Sequence, residues 1–199
     1  MFSTITNAIY GVSAGIALSR YRLPMTLAMI LLGICSGMYH GMEWLADGST
    51  FWQRADVSAI YIVLGLFPFT ITRDRKWLWL FIPVAVMISN KFGLLGDTWN
   101  SNITVPLLAI PTLIIGYIRI KRHFFWDAVV LMVVSTGYGV IANNFDIDLW
   151  QYDQPHGMWH LLSGVSFVLL LMGVPVKWYR KDGTMNMIGW FSRLGKRLR

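Results

Sequence analysis

Cysteine occurs once in the 199 residues, at Cys35. An internal disulfide framework, a dithiol redox pair and a cysteine-cluster metal site are therefore excluded. Charge is scarce as well. Asp, Glu, Lys and Arg make up 14% of the chain, against about 25% in a soluble globular domain. The formal charge of +7 sits in clusters between apolar stretches, a pattern of membrane topology and not of a nucleic-acid surface. No internal repeat, linker or second globular domain is visible.

What is abundant is hydrocarbon, at 55% of residues. It is organised as seven apolar segments, Phe2–Leu18, Pro24–Leu45, Asp56–Thr72, Trp77–Leu95, Ile103–Ile120, Phe124–Ile141 and His156–Val176. Each is near the roughly 17–25 residues a helix needs to cross a bilayer, the fourth being marginal because Asn90 and Lys91 interrupt it. Sheet is excluded by segment length, by the lack of alternation and by the cost of an open edge in lipid. The first segment has neither a basic leading region nor a cleavage site, so it is read as a helix and not a signal peptide. The expected fold is an all-α membrane protein, a seven-transmembrane helix bundle over residues 1–178, followed by a basic tail over 179–199.

All lysines and arginines except Arg54 and Lys91 fall between segments 1 and 2, 3 and 4, 5 and 6 (with Arg119 at the edge of the last), or in the tail. Asp47, Asp97, Asp146, Asp148 and Asp153 collect on the other side. The positive-inside rule then places the N-terminus outside and the C-terminus in the cytoplasm. In the tail, Met187, Ile188, Phe191, Leu194 and Leu198 keep helical spacing among basic residues, which suits either a helix lying on an anionic cytoplasmic leaflet or a disordered basic tail. The compact loops lean toward a bacterial inner membrane, with the eukaryotic secretory pathway as the alternative.

Ionisable groups at membrane depth are costly and mark functional sites. With the topology above, Ser36, His40, Asp56, His156 and His160 all fall in the outer half of the membrane. His156 and His160 are an i, i+4 pair whose imidazoles can converge on one ion. With His40 they make three protein ligands, the number used by catalytic zinc sites. Asp56 is a possible general base and Ser36 a hydrogen-bonding support or a group that polarises a carbonyl. Each residue alone has a plainer reading: interfacial histidines, a first-turn carboxylate favoured by the helix dipole, and a small residue for helix packing beside Gly33 and Gly37. Haem ligation is a further alternative, although two histidines one turn apart suit a small ion better.

The order Ser36-x3-His40, Asp56, His156-x3-His160 resembles the CREST superfamily of seven-helix membrane proteins. That superfamily includes alkaline ceramidases, the progestin and adipoQ receptors, GPI-lipid remodelling proteins and myomaker. The runs Tyr39-His40-Gly41-Met42-Glu43 and His156-Gly157-Met158-Trp159-His160 look closest to the myomaker-like branch. Met1–Tyr10 carries no acidic residue, unlike the calcium-binding segment of alkaline ceramidases. The resemblance implies that His40, His156 and His160 bind zinc, that Asp56 contacts the zinc-bound water and that Ser36 supports the site. The expected function is a zinc-dependent intramembrane hydrolase of a lipid amide or ester. The competing expectation is a non-enzymatic receptor, scaffold or fusion-related protein with a structural zinc. The implied partners are a membrane lipid substrate and the anionic cytoplasmic leaflet, with no nucleic acid.

Overall fold

The computed structural model describes residues 2–20, 22–43, 50–94, 101–144 and 149–174. Among these, every regular element is helical: α1 (Phe2–Thr6), α2 (Ala8–Ser19), α3 (Leu23–Glu43), α4 (Thr50–Thr72), a 3₁₀ segment Arg75–Leu80, α5 (Phe81–Lys91), α6 (Ser101–Arg119), α7 (Arg122–Asn144) and α8 (Leu149–Gly173). Over most of its described residues, each of the seven apolar segments is thus helical. Among the described residues, three stretches, Leu23–Met42, Thr50–Thr72 and Gln154–Gly173, are long and apolar enough to cross a membrane. The tail from residue 175 onward, and the segments 44–49 and 145–148, lie outside the described residues.

α4 is the hub. It packs on α3, on α6 and on the 3₁₀–α5 unit, while α8 packs on α7 and on the α1–α2 pair, and α2 packs on α3. Phe67 of α4 stacks on Phe167 of α8 with ring centroids 5.4 Å apart. The elements α8, α2, α3 and α4 therefore enclose a common interior.

The interior is apolar with several buried polar side chains, and large apolar side chains also cover the exterior. On α3, Met25, Met29, Leu32, Ser36 and His40 face inward, while Leu27, Ile30, Leu31 and Ile34 face outward. Ile118 and Val133 are each 67% exposed, whereas His40, Ser13, Ser135 and Ser166 are fully buried. Exposed large apolar side chains recur along α3, α6 and α7, and sizeable exposed apolar patches mark interaction or membrane surfaces. Helix faces of this kind match a hydrocarbon surround, and the buried serine hydroxyls donate to backbone carbonyls, Ser13 to Ile9, Ser135 to Trp159 and Ser166 to Leu162.

Several helix boundaries depart from the hydropathy reading. α4 starts at Thr50 and α8 at Leu149, so Asp56 and His156 lie inside helices and not in first turns. Gln53 and Arg54 stopped the apolar segment but not the helix, because both are good helix formers. Pro155 likewise lies inside α8. The first segment is not one helix: it breaks at Asn7, whose carbonyl accepts from the Tyr10 amide at 3.0 Å.

Candidate metal centre

His40 sits three residues from the end of α3, and His156 and His160 lie in the first half of α8. The i, i+4 spacing turns the two α8 imidazoles to one side of that helix, and His40 meets them from α3. His40 Nε2 is 3.2 Å from His156 Nε2 and 3.0 Å from His160 Nε2. The ring centroids form a near-equilateral triangle with sides of 4.6, 4.9 and 4.8 Å. All three residues are buried, at 0%, 5% and 4% exposure. Ring nitrogens turned on one another in this way repel as lone pairs unless a proton or a cation lies between them. The trio can hold a metal ion.

The flanking residues come from the α1–α2 break, α2, α3, α4 and α8. Tyr10 Oη lies 3.1 Å from His160 Nδ1 and 3.4 Å from Ser163 Oγ, and the Ser163 hydroxyl donates to the His160 carbonyl at 3.0 Å. A histidine that presents Nε2 to a metal carries its proton on Nδ1. In that tautomer His160 donates to Tyr10, and Tyr10 donates onward to Ser163. Such outer partners fix the ring and its protonation.

Ser36 stands one turn before His40 on α3 and is fully buried. Its hydroxyl donates to Asn7 Oδ1 at 3.2 Å, so its proton is directed to the α1–α2 break. Asn7 Nδ2 is buried with no hydrogen-bond partner among the described residues. Asp56, on α4, is buried at 7% exposure. His123, by contrast, stands at the opposite end of the bundle, at the start of α7.

Asn7 and Tyr10 escape the sequence reading. An amide alone within the first apolar segment, followed by a tyrosine one turn later, is the only local signal they carry. No protein-family model matches the chain, and no curated protein matches it either.

Proposed function

We propose that the protein is a multi-pass membrane hydrolase that uses a zinc ion to cleave a lipid amide or ester. The observation that carries this is the meeting of His40, His156 and His160 through their Nε2 atoms in a buried interior. Zinc–nitrogen bonds of 2.0–2.1 Å at tetrahedral angles require nitrogens about 3.3 Å apart. The two separations from His40, 3.2 and 3.0 Å, are close to that demand, and all three ligand nitrogens lie within 4.8 Å of one another. Membership of the CREST superfamily, nearest its myomaker-like branch, is part of the proposal, on the strength of the Ser36, His40, Asp56, His156 and His160 order. So is a seven-span topology with the N-terminus outside and the C-terminus cytoplasmic, supported by the charge distribution and by the apolar exterior.

Zinc bound here supplies a water nucleophile and a polarised carbonyl at neutral pH. The chain's own residues do the rest. His40, His156 and His160 hold the ion, and Tyr10 keeps the His160 ring in the tautomer that presents Nε2. Asp56 takes the proton released as water attacks and returns it to the departing amine or alcohol. Ser36, with its hydroxyl proton directed to Asn7, ties α3 to the α1–α2 break. An acyl chain reaches the interior sideways between helices, since the outer faces are apolar.

Metal analysis of the purified protein is the primary test. One zinc per chain is expected in the wild type and none in His40→Ala. Hydrolysis of a lipid extract should then be lost with a chelator and restored by zinc. A wild type that binds no zinc, or that keeps full hydrolysis after His156→Ala, overturns the reading. The near-complete burial of all three imidazoles favours a second one, in which the zinc is structural and the protein is a receptor or scaffold. That reading predicts bound zinc, chelator-induced unfolding and no lipid turnover.

A further inference from the structure

At the other end of the bundle, a cavity of about 250 Å³ opens between the start of α3 and the end of α4. It is lined by Arg22, Pro24, Phe69, Thr70 and Arg73. Arg22 precedes His40 by 18 residues on the α3 path, which is about 27 Å of helix, so this cavity is separate from the histidine centre. None of its lining residues is acidic.

Arg22 is placed with care. Its amide donates to the Ala17 carbonyl at 2.9 Å, and its own carbonyl accepts from the Thr26 amide at 2.9 Å and the Thr26 hydroxyl at 3.2 Å. The residue is 8% exposed, and its Nε is buried with no hydrogen-bond partner among the described residues. Burying a guanidinium donor unmet is costly. Burial, then the neighbouring charges of Arg73 and Arg20, push its pKa down to about 10. It therefore remains a cation at neutral pH.

Arg73 also lines the cavity. It adopts the left-handed conformation, φ 59°, directly after α4, a backbone setting unusual for a residue other than glycine. Thr70, buried at 3% exposure, also lines the cavity and brings a hydroxyl-bearing side chain to it. The third guanidinium, Arg20, is held nearby by donating through Nη1 to the Val174 carbonyl at 2.8 Å. Two guanidiniums and a threonine lining a cavity, with a buried donor unmet, suit an oxyanion such as phosphate, which the guanidinium fork can bind bidentately.

We propose that this cavity binds a phosphate group through Arg22, Arg73 and Thr70. Its volume far exceeds the roughly 10–15 Å³ that one water requires, and Pro24 and Phe69 give it an apolar wall suited to the glycerol or acyl part of a phospholipid. The phosphate can belong to a lipid headgroup or be free in solution, and the two sources are separable by experiment. The inference does not depend on zinc.

The full chain in detergent is titrated with dioleoyl phosphatidic acid, with dioleoylglycerol, which lacks the phosphate, and with inorganic phosphate. Bound stoichiometry is read by native mass spectrometry and affinity by ligand-induced shift in melting temperature. One phosphatidic acid per chain is expected, with dioleoylglycerol bound at least tenfold more weakly. Loss of one charge-assisted contact predicts about tenfold to a hundredfold weaker binding in Arg22→Gln, and a smaller loss in Arg22→Lys, which keeps the charge without the fork. Lys121→Gln, a basic change at the same end but off the cavity, should bind like wild type. Saturable inorganic phosphate binding lost in Arg22→Gln, without lipid selectivity, identifies the soluble source and sustains the site. Should Arg22→Gln fail to purify as a monodisperse species, Arg73→Gln serves in its place. Equal binding by wild type, Arg22→Gln and Arg73→Gln, or an equal loss in Lys121→Gln, overturns the proposal.

Discussion

Between the Tyr10 hydroxyl and His160 Nδ1 there is 3.1 Å and one proton, and the position of that proton governs whether His160 offers Nε2 to a metal. Tyr10→Phe removes the hydroxyl and keeps the ring, which meets His160 edge-on with centroids 6.1 Å apart. Zinc affinity, measured by competition with a chromogenic chelator, should fall by about 10–100-fold, while His160→Ala abolishes binding. An affinity unchanged in Tyr10→Phe would show that the hydroxyl has no part in orienting the ligand. The histidines and Ser36 are legible in the sequence because ionisable and hydroxyl groups at i, i+4 spacing stand out against hydrocarbon. Tyr10 and Asn7 are not, because their partners lie 150 and 29 residues away and no periodicity links such positions. Tyrosine in an apolar segment also has an ordinary packing role, so it draws no notice until the fold brings it to His160.

Helix–helix approach sets how closely the α1–α2 pair can serve the centre. Gly164 of α8 lies under Ile9 of α2, so that a Cβ there would stand 2.8 Å from Ile9 Cγ1 and 3.0 Å from Ile9 Cβ. Gly157, between the two α8 histidines, lies in the same way under Phe2, with the Ser3 amide 3.1 Å from a Cβ. Small residues at such crossings let backbones approach in the absence of a hydrophobic drive within lipid. Gly164→Ala should therefore destabilise the protein by about 1–3 kcal/mol, the usual cost of overpacking. Gly15→Ala on α2, where a Cβ meets nothing within 4 Å, should gain up to about 1 kcal/mol from helix propensity. Thermal unfolding in one detergent reads both, and a loss of stability at Gly15 equal to that at Gly164 would refute the close-packing account. Glycines are visible in any sequence, but which of them bear a contact is decided by rotation about the helix axis. The same limit explains the misplaced starts of α4 and α8: hydropathy marks where a helix meets lipid, not where its hydrogen bonding begins.

At the scale of the whole molecule, the seven-span proposal rests most heavily on α5. Its 11 residues reach only about 16 Å, and the six residues of the 3₁₀ segment before it add about 12 Å. The sum, about 28 Å, is close to the thickness of a bilayer's hydrocarbon core. If this unit crosses, Arg75 at its start and Leu94 just past its end lie on opposite sides of the membrane. If it does not, both lie on one side, and every later helix changes direction relative to the lipid. Cys35 makes the experiment clean, since the native cysteine is single and buried. Leu94→Cys, at a position 77% exposed, should react with a membrane-impermeant maleimide in intact cells, and Arg75→Cys only after permeabilisation. Labelling of both from one side would remove α5 as a span and end the odd-numbered topology. Labelling in the reverse sense would keep seven spans and move the histidine centre to the cytoplasmic half. It would also carry the Arg22 cavity to the outer leaflet, because the two sites stand at opposite ends of α3. The orientation of one helix thus decides which side of the membrane each site faces.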